Sequence, residues 1–220
     1  GSTPKTVEKA GHHFNGALFV TDDFKKANIG YHWNDAKRIL QGYTDGHDRG
    51  RLKQNADFKA SETIRGMLLV TGEDLPEGEA SNLARIIEIG FNGARYGPEL
   101  RDRYTACLER QGLYRGLMAH YVAWTQRIPD DDILALVASY YTRLDESLGA
   151  AEIENRPRIL QNFALMLTGL NLALGFLEEL GVVTAAEAEG HVSEHMAWAA
   201  GAMLAAIARR ALAAGIDGLI

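Results

Sequence analysis

The stretch Leu18-Phe19-Val20-Thr21-Asp22-Asp23-Phe24 is an apolar run of β-type residues that ends in two adjacent carboxylates. Such a run, bounded by Gly, Asn and Asp, predicts a strand. Its nearly unbroken apolarity suits a strand covered on both faces, as in a parallel sheet layered with helices. At a strand end, one carboxylate can enter a magnesium shell while the next orients an attacking water, the Walker B pattern. An acidic turn that caps a following helix produces the same residues.

Two further runs share this character. Gly66-Met67-Leu68-Leu69-Val70-Thr71 and Arg85-Ile86-Ile87-Glu88-Ile89-Gly90-Phe91 read as strands, and residues 34–41 and 81–84 between them read as helical. The expected first part, residues 1–111, is therefore an α/β layer. From residue 112 the β-branched runs give way to Ala and Leu. Leu113, Leu117, Tyr121 and Trp124 share one helical face, and Ile133, Leu134, Val137, Tyr140, Tyr141 and Leu144 recur at helical spacing behind a capping Asp130. Pro157 opens another helix, Gly181 closes it, and Thr184-Ala185-Ala186-Glu187 is a capping box for the last. Residues 112–220 are expected to form an all-α bundle of about four helices.

Composition limits the function classes. With 220 residues, 46% hydrophobic and 24% charged, the chain can bury a sizeable core, which excludes a disordered or collagen-like protein. A net charge of −6 argues against wholesale polyanion binding and confines any nucleic-acid site to a local basic patch. The single Cys107 makes no internal disulfide, and a reducing cytoplasm is the expected compartment. Gly1-Ser2-Thr3-Pro4 carries no basic region followed by an apolar run, so no secretory leader is expected, and Gly1-Ser2 reads as a cloning remnant. The long apolar run 159–177 is broken by Gln161, Asn162, Thr168 and Asn171, the pattern of a buried helix rather than a membrane span.

A Walker B strand works with a phosphate loop, yet no Gly-Lys pair occurs anywhere in the chain. The residues after the second strand are informative all the same. Thr71-Gly72-Glu73-Asp74-Leu75-Pro76 continues directly from it, and Arg85 heads the third. A polar strand end near a transferring phosphoryl group, and an arginine reaching a neighbour's nucleotide, supply the fixed donors that developing charge requires. Between the strands, His47-Asp48-Arg49-Gly50-Arg51-Leu52-Lys53-Gln54-Asn55-Ala56-Asp57-Phe58-Lys59 combines turn residues and cations with the anchors Leu52 and Phe58. It suits a hairpin presenting Arg49, Arg51, Lys53 and Lys59 to phosphates, and equally a solvated loop of mixed charge.

In order, Leu18 to Phe24, Gly50-Arg51-Leu52-Lys53, Arg65 to Pro76 and Leu83-Ala84-Arg85-Ile86-Ile87 resemble the rear half of the primase-associated helicase-like ATPases of phages, plasmids and mobile elements, a group similar to superfamily 3 helicases. The likeness spans about residues 3–125. It implies a partial AAA+-like core lacking the phosphate loop, followed by the bundle. It also implies ATP and magnesium in a longer enzyme, a ring homo-oligomer of hexameric type, and movement along DNA. Under this resemblance Asp22 holds magnesium through water, Asp23 orients the attacking water, Thr71 and Glu73 form the sensor strand end, Arg85 acts on the adjacent subunit, and Arg49, Arg51, Lys53 and Lys59 face DNA. Two departures stand out: Asp23 replaces the usual Glu, and Gly72 and Glu73 stand about where the sensor Asn belongs. Without the phosphate loop this chain is expected neither to hydrolyse ATP alone nor to hold nucleotide tightly.

Two other classes fit parts of the chain. His191-Val192-Ser193-Glu194-His195 matches H-x-x-E-H, the inverted zinc-protease signature, which sets two imidazoles on one helical face at zinc-ligand spacing and would make a zinc hydrolase of His191, Glu194 and His195, although only Asp217 is acidic downstream. A non-catalytic module for DNA binding or oligomerisation would use the basic stretch above and the Ala-rich stripe Ala197, Ala200, Gly201, Leu204, Ala205 and Ala208, which core packing also explains.

Overall fold

The computed structural model describes residues 4–14, 16–24, 39–43, 46, 63–72, 84, 86, 87, 89 and 97–213. Internal contacts divide the chain into two units, Gly1–Arg85 and Ile86–Ile220.

In the first unit, α1 (Pro4–Phe14) leads into β1 (Phe19–Phe24), and β2 (Leu68–Gly72) lies parallel to β1. Parallel neighbours need a crossover, and here residues 25–67 supply it. Phe19, Val20 and Thr21 pair with Leu68, Leu69 and Val70, and Phe19 N–H donates to the Met67 carbonyl at the entry. Gly66 is required there, because a Cβ on it would lie 2.6 Å from the Ala17 carbonyl oxygen. A small core forms on one side of the pair. Phe19 stacks on Tyr43 from a helical turn at residues 39–43, and Tyr43 in turn presses on Gly11 of α1, where a Cβ would meet its hydroxyl at 2.6 Å. Val7 and Ile64 are buried, and the His12 imidazole is hydrogen-bonded to the Thr63 carbonyl.

Both strands sit with one face half-buried and the other open. Phe19, Thr21, Leu68 and Val70 alternate with exposed Val20, Asp22, Leu69 and Thr71, the period of two that pleating imposes. Coverage of both faces, the expectation from the apolar runs, is therefore not found among the described residues: Leu18 (57% exposed), Val20 (53%), Met67 (68%) and Leu69 (46%) keep much of their surface. Apolarity of a strand records what each face tolerates, whereas coverage depends on a second layer being present. The expected third strand is likewise not seen among the described residues, since Ile86, Ile87 and Ile89 lie outside any strand and Ala84 occupies a buried turn. Residues 34–38 and 81–83 and the expected hairpin lie outside the described residues.

Helices make up the second unit: α2 (Pro98–Glu109), α3 (Gln111–Thr125), α4 (Asp130–Leu148), α5 (Arg156–Glu179) and α6 (Ala185–Ala213). Helical structure thus begins at Pro98, within the stretch read from sequence as α/β. Helix α4 carries Asp130, Asp131 and Asp132 in its first turn, where they oppose the positive end of the helix dipole. Asp130 is itself already helical; extended Pro129 takes the cap position, and no side chain caps the end. The Arg156 guanidinium joins α4 to α5, donating to Asp145 Oδ1 at 2.7 Å, the Asp145 carbonyl at 2.8 Å and the Ala151 carbonyl at 2.7 Å. Helix α5 stops in a Schellman arrangement: Gly181, at φ 69°, donates to the Glu178 carbonyl and Val182 to that of Leu177. The capping box of α6 forms as expected, with Thr184 N–H and Oγ1–H on Glu187 Oε2 and Glu187 N–H on Thr184 Oγ1.

The core lies between α4, α5 and α6. Tyr140, Leu144 and Leu148 of α4 face Ile159, Leu160, Phe163 and Leu167 of α5, while α6 closes it with Ala188, Val192, Ala199 and Met203. The run at 159–177 is the central helix of this bundle. It is also long and apolar enough to cross a membrane by length and composition.

Leu160 is fully buried and Leu165, on the same helix, is half-exposed. Leu160→Ala is expected to cost about 2–5 kcal/mol and Leu165→Ala within about 0.5 kcal/mol, measured by urea unfolding followed by circular dichroism. The backbone and hydroxyl of Thr184 hold the Glu187 carboxyl below its ordinary value of 4.5. Its stabilising contribution is therefore complete above that value and lost as pH falls through the depressed one, so acid titration should fray α6 only below pH 4.5, and Glu187→Gln should remove that step.

Candidate functional site

The carboxyl ends of β1 and β2 carry the residues that the sequence marks for chemistry. After Thr21↔Val70 the register slips, and the next pair is Phe24↔Gly72. Asp22 and Asp23 of β1 thus stand opposite Thr71 alone, a β-bulge that falls on the twin acids. Bulges add a residue to one strand, increase its local twist and re-aim its side chains, and they concentrate near functional sites. Across the ladder, Thr71 Oγ1–H donates a hydrogen bond to Asp22 Oδ1. Both residues are exposed.

This corner is rich in oxygen and carries negative charge. A carboxylate and a hydroxyl suit a hard divalent cation, directly or through water, and open α/β sheets bind ligands at the carboxyl ends of their strands. The half-buried face behind is different. Thr21 Oγ1 and the Tyr43 hydroxyl are buried without a hydrogen-bond partner among the described residues, and burial pushes the Tyr43 phenol above its ordinary value.

Of the residues marked from sequence, the structure brings Asp22 and Thr71 together and sets the backbone of Asp23 in the bulge beside them. The Asp23 side chain and Glu73, Arg85, Arg49, Arg51, Lys53 and Lys59 lie outside what is described. His191, Glu194 and His195 are exposed on α6, and the His195 Nδ1 atom is hydrogen-bonded to the His191 carbonyl at 2.7 Å. Among the described residues no three His, Cys, Asp or Glu side chains gather as a metal site.

Sequence reasoning missed a second constellation. Glu179, at the end of α5, accepts from Trp124 Nε1–H at 2.5 Å and from Arg127 Nη2–H at 3.0 Å, and these bonds hold its carboxyl below its ordinary value. Tyr121 and Trp124 pack on Phe176 beside it. Gly175, a glycine inside an apolar helix, was the one available signal of close approach.

No protein-family model, curated protein or solved structure matches the chain.

Thr71→Val keeps the volume and removes the donor. Because the pair is exposed, the variant is expected to lose no more than about 1 kcal/mol of stability, with Thr71→Ser retaining most of it, as read by chemical denaturation.

Proposed function

We propose that this chain is the rear part of a P-loop-type ATPase core joined to a helical bundle, taken from a DNA helicase or translocase of mobile-element replication. The observation that carries this reading is the Asp22–Thr71 hydrogen bond between adjacent parallel strands, with the twin acids in a bulge at the strand ends. Phosphoryl transfer needs a metal-holding carboxylate, a residue for the water and a polar group on the next strand, all at one sheet edge. Asp22, Asp23 and Thr71 supply these residue types in that order, and the oxygen donors fit magnesium better than a soft metal. Asp22 would hold magnesium through water, and the bound ion would neutralise phosphate charge. Thr71 orients the Asp22 carboxylate by donating to it.

Nucleotide affinity requires backbone donors and a lysine that this sequence lacks, since it contains no Gly-Lys pair. ATP therefore belongs to the assembled longer enzyme, with Arg85 reaching across a ring of copies and Arg49, Arg51, Lys53 and Lys59 meeting DNA in the cytoplasm. A second reading, a non-catalytic oligomerisation module, draws on α2, which has no buried residue and exposes Leu100, Tyr104 and Leu108 at helical spacing.

Manganese, a paramagnetic substitute for magnesium, tests the first reading. In titrations followed by NMR, the amides of residues 20–24 and 70–72 should broaden first, and Asp22→Asn should abolish the effect; broadening elsewhere, or unchanged in that variant, overturns the site. For the DNA surface, salt-dependent binding of single-stranded DNA should be lost in the Arg51→Ala, Lys53→Ala, Lys59→Ala triple variant. Binding equal to wild type sinks the hairpin assignment.

A further inference from the structure

Helices α2 and α3 carry no buried residue. Tyr104 is 64% exposed and Leu113 70%, and at the joint Arg110 (φ −103°, ψ 15°) tight backbone bonds to Cys107 and from Leu113 carry one helix into the next. Firm attachment to the three-helix core comes at the far end of α3. There Tyr121 and Trp124 meet Phe176 with ring centroids 5.6 and 5.8 Å apart, and the indole lies over Gly175, where a Cβ would sit 3.5 Å from it. Glu179 completes the attachment with both carboxylate oxygens in use, one on Trp124 Nε1–H and one on Arg127.

The geometry points to α2–α3 as an arm that docks on and releases from the α4–α6 core as a unit, with the Trp124–Glu179–Arg127 set as its clasp. Opening free energies are lowest where buried apolar contacts are few and backbone hydrogen bonds face solvent, the condition of this arm. The core has its own seam through Leu144, Leu160, Leu167 and Met203, to which the arm contributes no buried side chain. Release uncovers the ring of Phe176, itself 6% exposed, together with Trp124 and Tyr121, and so presents an aromatic patch at the end of α5. None of these contacts involves the Asp22–Thr71 corner, so the clasp stands whether or not the chain belongs to a nucleotide-driven enzyme.

Hydrogen exchange of the full chain, read by mass spectrometry, tests it alongside Trp124 emission in a Trp33→Phe, Trp198→Phe background. In Glu179→Ala, and separately in Gly175→Leu, which fills the indole's seat, amides of residues 98–125 should exchange severalfold faster. Protection around Leu144, Leu160 and Leu167 should stay unchanged, and Trp124 emission should shift to the red. Glu179→Gln, which keeps an acceptor and loses the charge, should fall between. Acceleration of the core in step with the arm would show one cooperative unit and overturn the proposal. Arm protection equal to wild type in Glu179→Ala would equally remove Glu179 as the clasp.

Discussion

Helix α5 is apolar over most of its circumference, and the rest of the helical unit answers to that fact. At 3.6 residues per turn the buried Ile159, Leu160, Phe163, Ala164, Leu167 and Leu174 fall on one broad stripe of about 140°, wide enough for two neighbours, while buried Phe176 lies outside it and needs a third. Helix α4 covers one side and α6 another, each with a narrower stripe of its own, and the aromatic end of α3 covers the turn at Phe176. Even the polar groups of the seam follow. Thr168 is buried but returns its hydroxyl to the Ala164 carbonyl within its own helix, so it adds no unpaired group to the interior.

Signals confined to a few residues were legible in the sequence. The capping box Thr184–Glu187, the opening proline of α5 and Gly181 after its end each act within one turn, and each is found where the pattern put it. The two strands were legible for the same reason. Asp130 shows the limit of local reading, since extended Pro129 takes the cap position and moves the aspartate one step into the helix. Face coverage of β1 and β2 was not legible, because a Val or Leu in a strand says nothing about whether another layer arrives.

Long-range pairings divide in a similar way. Asp22 and Thr71 are 49 residues apart, yet both end a recognisable strand, so strand order brought them into one hypothesis before any geometry did. Trp124 and Glu179 are 55 residues apart, and no pattern links the two. A tryptophan at helical spacing reads as core, and a glutamate at a helix end reads as solvated. Their hydrogen bond follows from where α3 lands on α5, which only packing decides.

The bulge matters because of pleating. In a regular strand, consecutive side chains point to opposite faces, so adjacent acids would be divided between the open face and the face covered by Tyr43. Here β1 uses two residues where β2 uses one, and the backbone positions of Asp22 and Asp23 both stand opposite Thr71. The slip thus gives the backbones of the adjacent acids a common level at the strand end.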